Sequence, residues 1–250
     1  MPPGLERGQL ALLHVDLTDC RSKPPNRREL VAHLATQGVT VWNGWATDIS
    51  KRRVQRVNED LKLPSLYPHA CGPDDLVIVK TNLNCAGQPE SKLVWRTRGT
   101  QASQGALVAE SAYSVCRWKD IPPQALRDPT HVVERYVTNA EGLFHRVYRV
   151  GPRLVSCTSN APGTIKRMGY GKPRLSVFFQ DTELLHDGQP AIAARAARQA
   201  LLVTNSMGTQ FATVDLVQDD GGTCYVCDVN KTPYWAENEP QIEEFLRGTG

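Results

Sequence analysis

Apolar residues along this chain come in short blocks, some continuous and some alternating, separated by polar stretches rich in Gly, Pro and Asn. Gln9-Leu10-Ala11-Leu12-Leu13-His14-Val15-Asp16 is a nearly continuous run of strand length, followed by a polar, Pro-containing loop to Arg28. Glu29 to Gln37 has helical spacing and stops at Gly38, after which Val39 to Asn43 reads as a strand. The chain therefore opens on a short β-α-β unit. Asp48 is placed to cap a helix from Ile49 to Leu61, whose Lys51, Arg52, Arg53 and Arg56 read as a solvated face.

Asp75 to Lys80 is nearly all apolar, through Leu76 to Val79, until it ends in Lys80, as in a strand buried on both faces. A lysine that ends such a strand and faces a polar loop is less ordinary than a surface lysine. The loop, Thr81 to Gln88, is small and polar, so its amides can approach a phosphate. It lacks the Gly-Lys-Ser/Thr ending of a Walker loop. Residues 90–116 carry no clear period, and Ile121 to Pro129 is a loop or short helix. Thr130 to Val137 is strand-like, and Phe144–Val150 and Arg153–Cys157 form a hairpin about Gly151-Pro152. The Ala-rich stretch from Ala191 to Val203 predicts a helix with Arg195 and Arg198 exposed.

The last pair of runs carries the chemistry. Ala212 to Pro233 holds two β-branched and aromatic segments about an Asp219-Asp220-Gly221-Gly222 turn, a hairpin pattern. Asp215 lies on its first strand. Asp228 and Asn230 lie on the second, two residues apart, so both leave the same face. Three hard oxygen donors at one end of a hairpin suit Mg²⁺ shared with nucleotide phosphates. A hairpin with ordinary outward-facing polar residues fits the same spacing. Cys224 and Cys227, three apart on that strand, point to opposite faces and do not make a zinc site.

Bulk properties narrow the classes. With 250 residues, 40% of them hydrophobic, the chain can bury a sizeable core in one compact domain or two small lobes. A net charge of +3 without a basic, aromatic-interleaved stripe argues against a nucleic-acid partner and allows an anionic small molecule. No apolar run approaches the roughly 18 residues of a membrane span, and no charged-then-apolar leader marks secretion, so the cytoplasm is the expected location. Seven cysteines, an odd number without paired spacing, read as reduced thiols. No histidine is placed by sequence to activate one of them.

The segment Asp228-Val229-Asn230-Lys231-Thr232-Pro233 resembles the tail of the final hairpin in the ATP-grasp superfamily, where an acidic residue, any residue and Asn precede a short turn with Pro. Asp215 stands where that family places its preceding metal carboxylate. The family usually has Glu at the position of Asp228, one methylene longer. The order strand-Lys, polar loop, strand-Glu, hairpin with arginines, helix and acidic hairpin extends the resemblance over residues 42–235. The implied fold is α+β: two α+β lobes enclosing a nucleotide, with a shortened α/β N-terminal segment. The boundaries would be 1–46 for that segment, 47–137 for the first lobe and 138–250 for the second.

What the resemblance implies can be placed residue by residue. Lys80 would contact the nucleotide phosphates, with Lys51 as a second such lysine. The segment from Val132 to Val137, including Glu134, Tyr136 and Val137, would meet the adenine edge, and Glu141 the ribose hydroxyls. Arg146 and Arg149 would meet phosphate or an acylphosphate, although an exposed strand face accounts for both equally. Asp215, Asp228 and Asn230 would hold Mg²⁺. Trp42, Trp45, Trp118 and Trp235 read most simply as packing groups, with Tyr234 and Trp235, just past the hairpin, also able to wall a substrate pocket. His14 and Asp16 form a site edge or a strand-end pair. The implied activity is a MgATP-dependent carboxylate–amine ligase acting through an acylphosphate. A small-molecule kinase or a nucleotide-binding module without turnover are the alternatives. The substrates would be a small-molecule or peptide carboxylate and an amine, and the short N-terminal segment leaves room for a homodimer or a partner chain to complete the site.

Overall fold

The computed structural model describes residues 6–21, 24–90, 113–160, 163–165, 175–184, 192–232 and 244–245. Pro233, Tyr234 and Trp235 lie outside them, as do most of 90–116 and of the segment between 160 and 192. The architecture is α+β, built on three sheets.

Strands β1 (Leu10–Leu12) and β2 (Thr40–Trp42) are parallel neighbours joined through helix α1 (Arg27–Thr36), the β-α-β opening expected. Both strands are shorter than the apolar runs. The ladder stops at Trp42, because Asn43 turns into the left-handed region (φ 55). Helix α2 (Lys51–Asp60) is capped by Ser50 rather than Asp48. Ser50 is extended and its hydroxyl accepts from Arg53 N, while Asp48 accepts from Ser50 N one step earlier. Arg52, read as solvated, instead donates to the carbonyls of His131 and Asp128.

A three-stranded antiparallel sheet has the order β4-β3-β5, with β3 (Leu76–Thr81) between β4 (Ser114–Arg117) and β5 (His131–Arg135). Val77 and Val133 pack there with Ile121, beside the short helix α3 (Pro123–Arg127). Trp118 joins that cluster and Trp42 closes on Gly151, but Trp45 is 56% exposed and is not a packing group.

The larger sheet has five antiparallel strands in the order β10-β9-β6-β7-β8. These are β6 (Leu143–Val150), β7 (Arg153–Asn160), β8 (Leu175–Gln180), β9 (Phe211–Gln218) and β10 (Cys224–Asn230). After β8 come a single turn, α4 (Asp181–Leu184), and the Ala-rich helix α5 (Ile192–Ser206). Val147, Leu154, Val214, Leu216 and Val229 bury one face against α5. Val54 and Val57 of α2 enter the same apolar cluster. With that face covered, the opposite face is turned toward the three-stranded sheet, and the site lies there.

Candidate active site

Antiparallel pairing puts three charged side chains in one transverse row. Arg146 of β6 is opposite Asp215 of β9, and Asp215 is opposite Asp228 of β10. Directly opposed residues in such a ladder stand about 4.5–5.5 Å apart. Arg146 forks onto Asp215, with Nε 2.7 Å from Oδ1 and Nη2 2.9 Å from Oδ2. Burial works against the guanidinium, but the Asp215 carboxylate outweighs it and raises the Arg146 pKa.

Two lysines approach the row. Lys51, 2% exposed at the start of α2, donates to Leu83 O (2.9 Å) and Asn84 Oδ1 (3.5 Å), and its Nζ is 3.8 Å from Asp228 Oδ1. Asn84 in turn donates to Val229 O at 2.7 Å, fixing the loop after β3 against β10. Lys80 of β3 is ion-paired with Glu134 of β5. Burial opposes charge on both: it pushes the Glu134 carboxyl up with Lys80 pulling against it, whereas at Lys80 the Glu134 carboxylate prevails and keeps the ammonium charged. Burial also lifts the Asp228 carboxyl, with Lys51 opposing the rise and Asp215 adding to it.

These groups form one end of a cleft of about 240 Å³ between the two sheets. The rest of its lining is mainly apolar, with Leu66, Ile78, Phe144, Val217 and the linker residues Tyr136 and Val137, to which Arg135 and Thr164 add polar groups. Tyr136 anchors its hydroxyl on Thr164 O at 2.8 Å. A second cavity, also about 240 Å³, shares Arg146, Asp215 and Asp228 with the cleft and adds Cys85, Thr213 and Asn230. The charged row is thus a common wall between an amphipathic cleft and a polar chamber of similar size.

Solved ATP-grasp ligases are among the structures that this chain resembles. PsnB complexed with a minimal precursor gives a TM-score of 0.46 at 12% identity, over 84% of this chain and 62% of that one. PsnB with a phosphomimetic precursor variant, Mg and ADP gives 0.46 at 12% identity, over 87% and 65%. VanG D-Ala:D-Ser ligase from Enterococcus faecalis gives 0.41 at 12% identity, over 84% and 61%. The chain spans less than two thirds of the length of each. A scan of protein-family models and a search of curated proteins match nothing to the sequence.

Of the residues singled out from the sequence, Lys51, Lys80, Glu134, Tyr136, Val137, Arg146, Asp215 and Asp228 line the cleft, and Asn230 lines the adjoining chamber. Two do not belong. Arg149 is three residues from Arg146, an odd offset that sends it through the opposite face of β6. There it is buried, donating to Thr204 Oγ1 (2.7 Å) and Thr209 O (3.1 Å) at the end of α5. Glu141 sits exposed in the turn before β6, where its carbonyl accepts from Asn160. It is absent from both cavities, because the tight Ala140–Gly142 turn keeps it at the rim. Among the described residues, no three His, Cys, Asp or Glu side chains converge in ligating geometry.

Sequence reasoning missed the irregularity that shapes the charged end. The register of β10 shifts between Val226 and Asp228, a β-bulge at Cys227. Cys227 and Asp228 consequently both line the cleft, while Cys224 faces the α5 core as expected. Missed too was a buried polar stripe on α2, formed by Lys51, Gln55 and Asn58. Its i, i+4, i+7 spacing was the available signal.

Proposed function

We propose that the chain binds MgATP in the cleft between its sheets and joins a carboxylate to an amine. The observation that carries this reading is the transverse row Arg146–Asp215–Asp228, flanked by Lys51 and Lys80 at one end of a cleft whose other end is mainly apolar. A purine nucleotide has that same division, an apolar base and a polyanionic tail. The ends of the cleft support a base against Leu66, Phe144 and the 136–137 linker, and phosphates against the two lysines.

The donor set suits Mg²⁺. It prefers one or two carboxylates completed by phosphate oxygens and waters to a full protein cage, and here two carboxylates adjoin one amide. Burial beside Asp215 raises the Asp228 carboxyl, so a bound cation would relieve the strain of two neighbouring negative charges. Asp215, Asp228 and Asn230 would hold the ion, which neutralises phosphate charge when bound.

A carboxylate is a poor electrophile. Its attack on the γ-phosphate would break the bond between the β- and γ-phosphates, giving an acylphosphate and ADP, and an amine would then displace phosphate to give the amide. Such transfer depends mainly on positioning and charge stabilisation. In this reading Lys80 and Lys51 bind the phosphates. Arg146, its fork held by Asp215, stabilises the transferring phosphoryl group and then the oxyanion formed on amine attack. The polar chamber beyond the row would admit the carboxylate and amine, leaving the nucleotide side undisturbed.

Thermal shift with ATP, with and without Mg²⁺, on wild type and Asp228→Asn tests the reading. A ligand at a hundredfold excess over its Kd adds about 2.7 kcal/mol to the folded state. Metal-dependent stabilisation in wild type that Asp228→Asn loses is the expected result, with the unliganded midpoints close together. Absence of any nucleotide-dependent shift in wild type sinks it. Phosphate release requiring both a carboxylate and an amine then separates ligase from kinase.

A further inference from the structure

One buried side chain bonds to both sheets and to the Leu66 loop without lining the cleft itself. Gln55, fully buried on α2, uses its whole amide. Its Nε2 donates to Glu134 Oε1 at 3.1 Å on the three-stranded sheet and to Val226 O at 3.0 Å on the five-stranded sheet. Its Oε1 accepts from Leu66 N at 2.8 Å, on the loop that supplies the apolar wall. Asn58 Nδ2 reinforces the arrangement, donating to Gln55 Oε1 (3.3 Å) and to Val226 O (3.2 Å).

Each endpoint matters to the charged end. Glu134 is the partner of Lys80. Val226 is the last residue of β10 in regular register before the bulge that presents Cys227 and Asp228. A continuous chain of bonded groups therefore runs from Lys80 through Glu134 and Gln55 to the backbone that aims Asp228. Lys80 and Asp228 belong to different sheets, and no bond joins them directly among the described residues.

We infer that Gln55 is a positioning residue that sets the spacing between the phosphate-facing Lys80 and the Asp228 end of β10. The inference rests on the MgATP reading. Only a primary amide meets these demands, because the site needs two donors aimed at a carboxylate and a carbonyl, and one acceptor aimed at an N–H. A carboxylate at this position has no donors and repels Glu134. An apolar side chain takes away the partners of Glu134 Oε1 and Leu66 N and leaves Val226 O with Asn58 alone. Leu66 would still be held from the other side, since Leu66 O accepts from Arg135 N at 2.7 Å. The apolar end therefore depends on Gln55 less than the charged end does.

That asymmetry gives the test. Binding of MgATP and of adenosine, which has no phosphates, is measured by calorimetry on wild type, Gln55→Met and Gln55→Glu. Loss of a bond to a charged group corresponds to about tenfold or more in affinity. Kd for MgATP should rise at least that much in both variants, while Kd for adenosine changes less than about threefold. A merely structural role would weaken both ligands in proportion, and that result overturns the inference, as does unchanged MgATP affinity. Should Gln55→Met fail to fold, Gln55→Glu, equal in size, decides by the same comparison. Wild type that binds neither ligand would instead remove the MgATP reading itself.

Discussion

At the scale of single residues, the Lys80–Glu134 pair is the group whose two roles can be pulled apart. Both side chains are buried, and breaking a buried pair by removing one partner costs about 3–5 kcal/mol, since the other charge is left uncompensated. Lys80→Ala should thus lose stability as well as ATP affinity. In that variant burial acts on Glu134 without its counter-charge, so the folded-state carboxyl titrates above its unfolded value. A raised carboxyl favours folding below the ordinary carboxylate value and disfavours it as pH climbs through the raised one. The stability deficit against wild type should be small in acid and grow toward neutral pH, as followed by urea denaturation across a pH series. Lys80→Met with Glu134→Gln should recover most of the stability without recovering ATP affinity. Recovery of both would show that Lys80 serves the fold alone.

At the scale of elements, apolar runs and periods located the strands and helices that build the cleft except β4, which begins in the stretch without a clear period, and faces were less secure than elements. Asp228 and Asn230 were legible as a pair because an even offset keeps them on one face, but regular hairpin pairing would have set Asp215 opposite Cys227, and it is the bulge that brings it opposite Asp228. Arg149 was misplaced because β6 is charged on both faces, one toward the cleft and one toward α5. Composition does not reveal that difference; counting offsets does. The bulge at Cys227 was not legible, since no Gly or Pro marks it. The β6–β7 turn, by contrast, announced itself through Gly151-Pro152. Gly151 has φ +57, and a Cβ there would stand 2.5 Å from Trp42 Cζ2. Gly151→Ala combines left-handed strain with overpacking against a rigid ring, together about 2–4 kcal/mol. Denaturant unfolding should register that loss, with little change in MgATP affinity, because the turn is remote from the charged row. A stability within about 0.5 kcal/mol of wild type would mean that Trp42 moves aside freely.

At the scale of the molecule, the short N-terminal unit is fastened to the large sheet rather than appended to it. Asn43 donates to Phe211 O at 2.8 Å and accepts from Gln210 N and Phe211 N, at the start of β9. At the same open end of the hairpin, where the end of β10 lies beside the start of β9, buried Lys231 donates to Ala46 O (3.3 Å) and Cys20 Sγ (2.9 Å), one residue beyond Asn230. Thr232 adds a bond to Asp16 at 2.9 Å. Both strands of the acidic hairpin are therefore held at its open end by residues before position 47, and α2 joins the large-sheet core from the other side. A chain so cross-connected should unfold as one unit, with calorimetric and van't Hoff enthalpies in agreement, and MgATP should move that whole transition. Removal of residues 1–46 would leave the Lys231 ammonium without its buried acceptors and the start of β9 without Asn43. The shortened chain should show no cooperative transition. If it melted cooperatively and still shifted with MgATP, the two later sheets alone would suffice to build the nucleotide cleft, and the N-terminal unit would have to be assigned to another task.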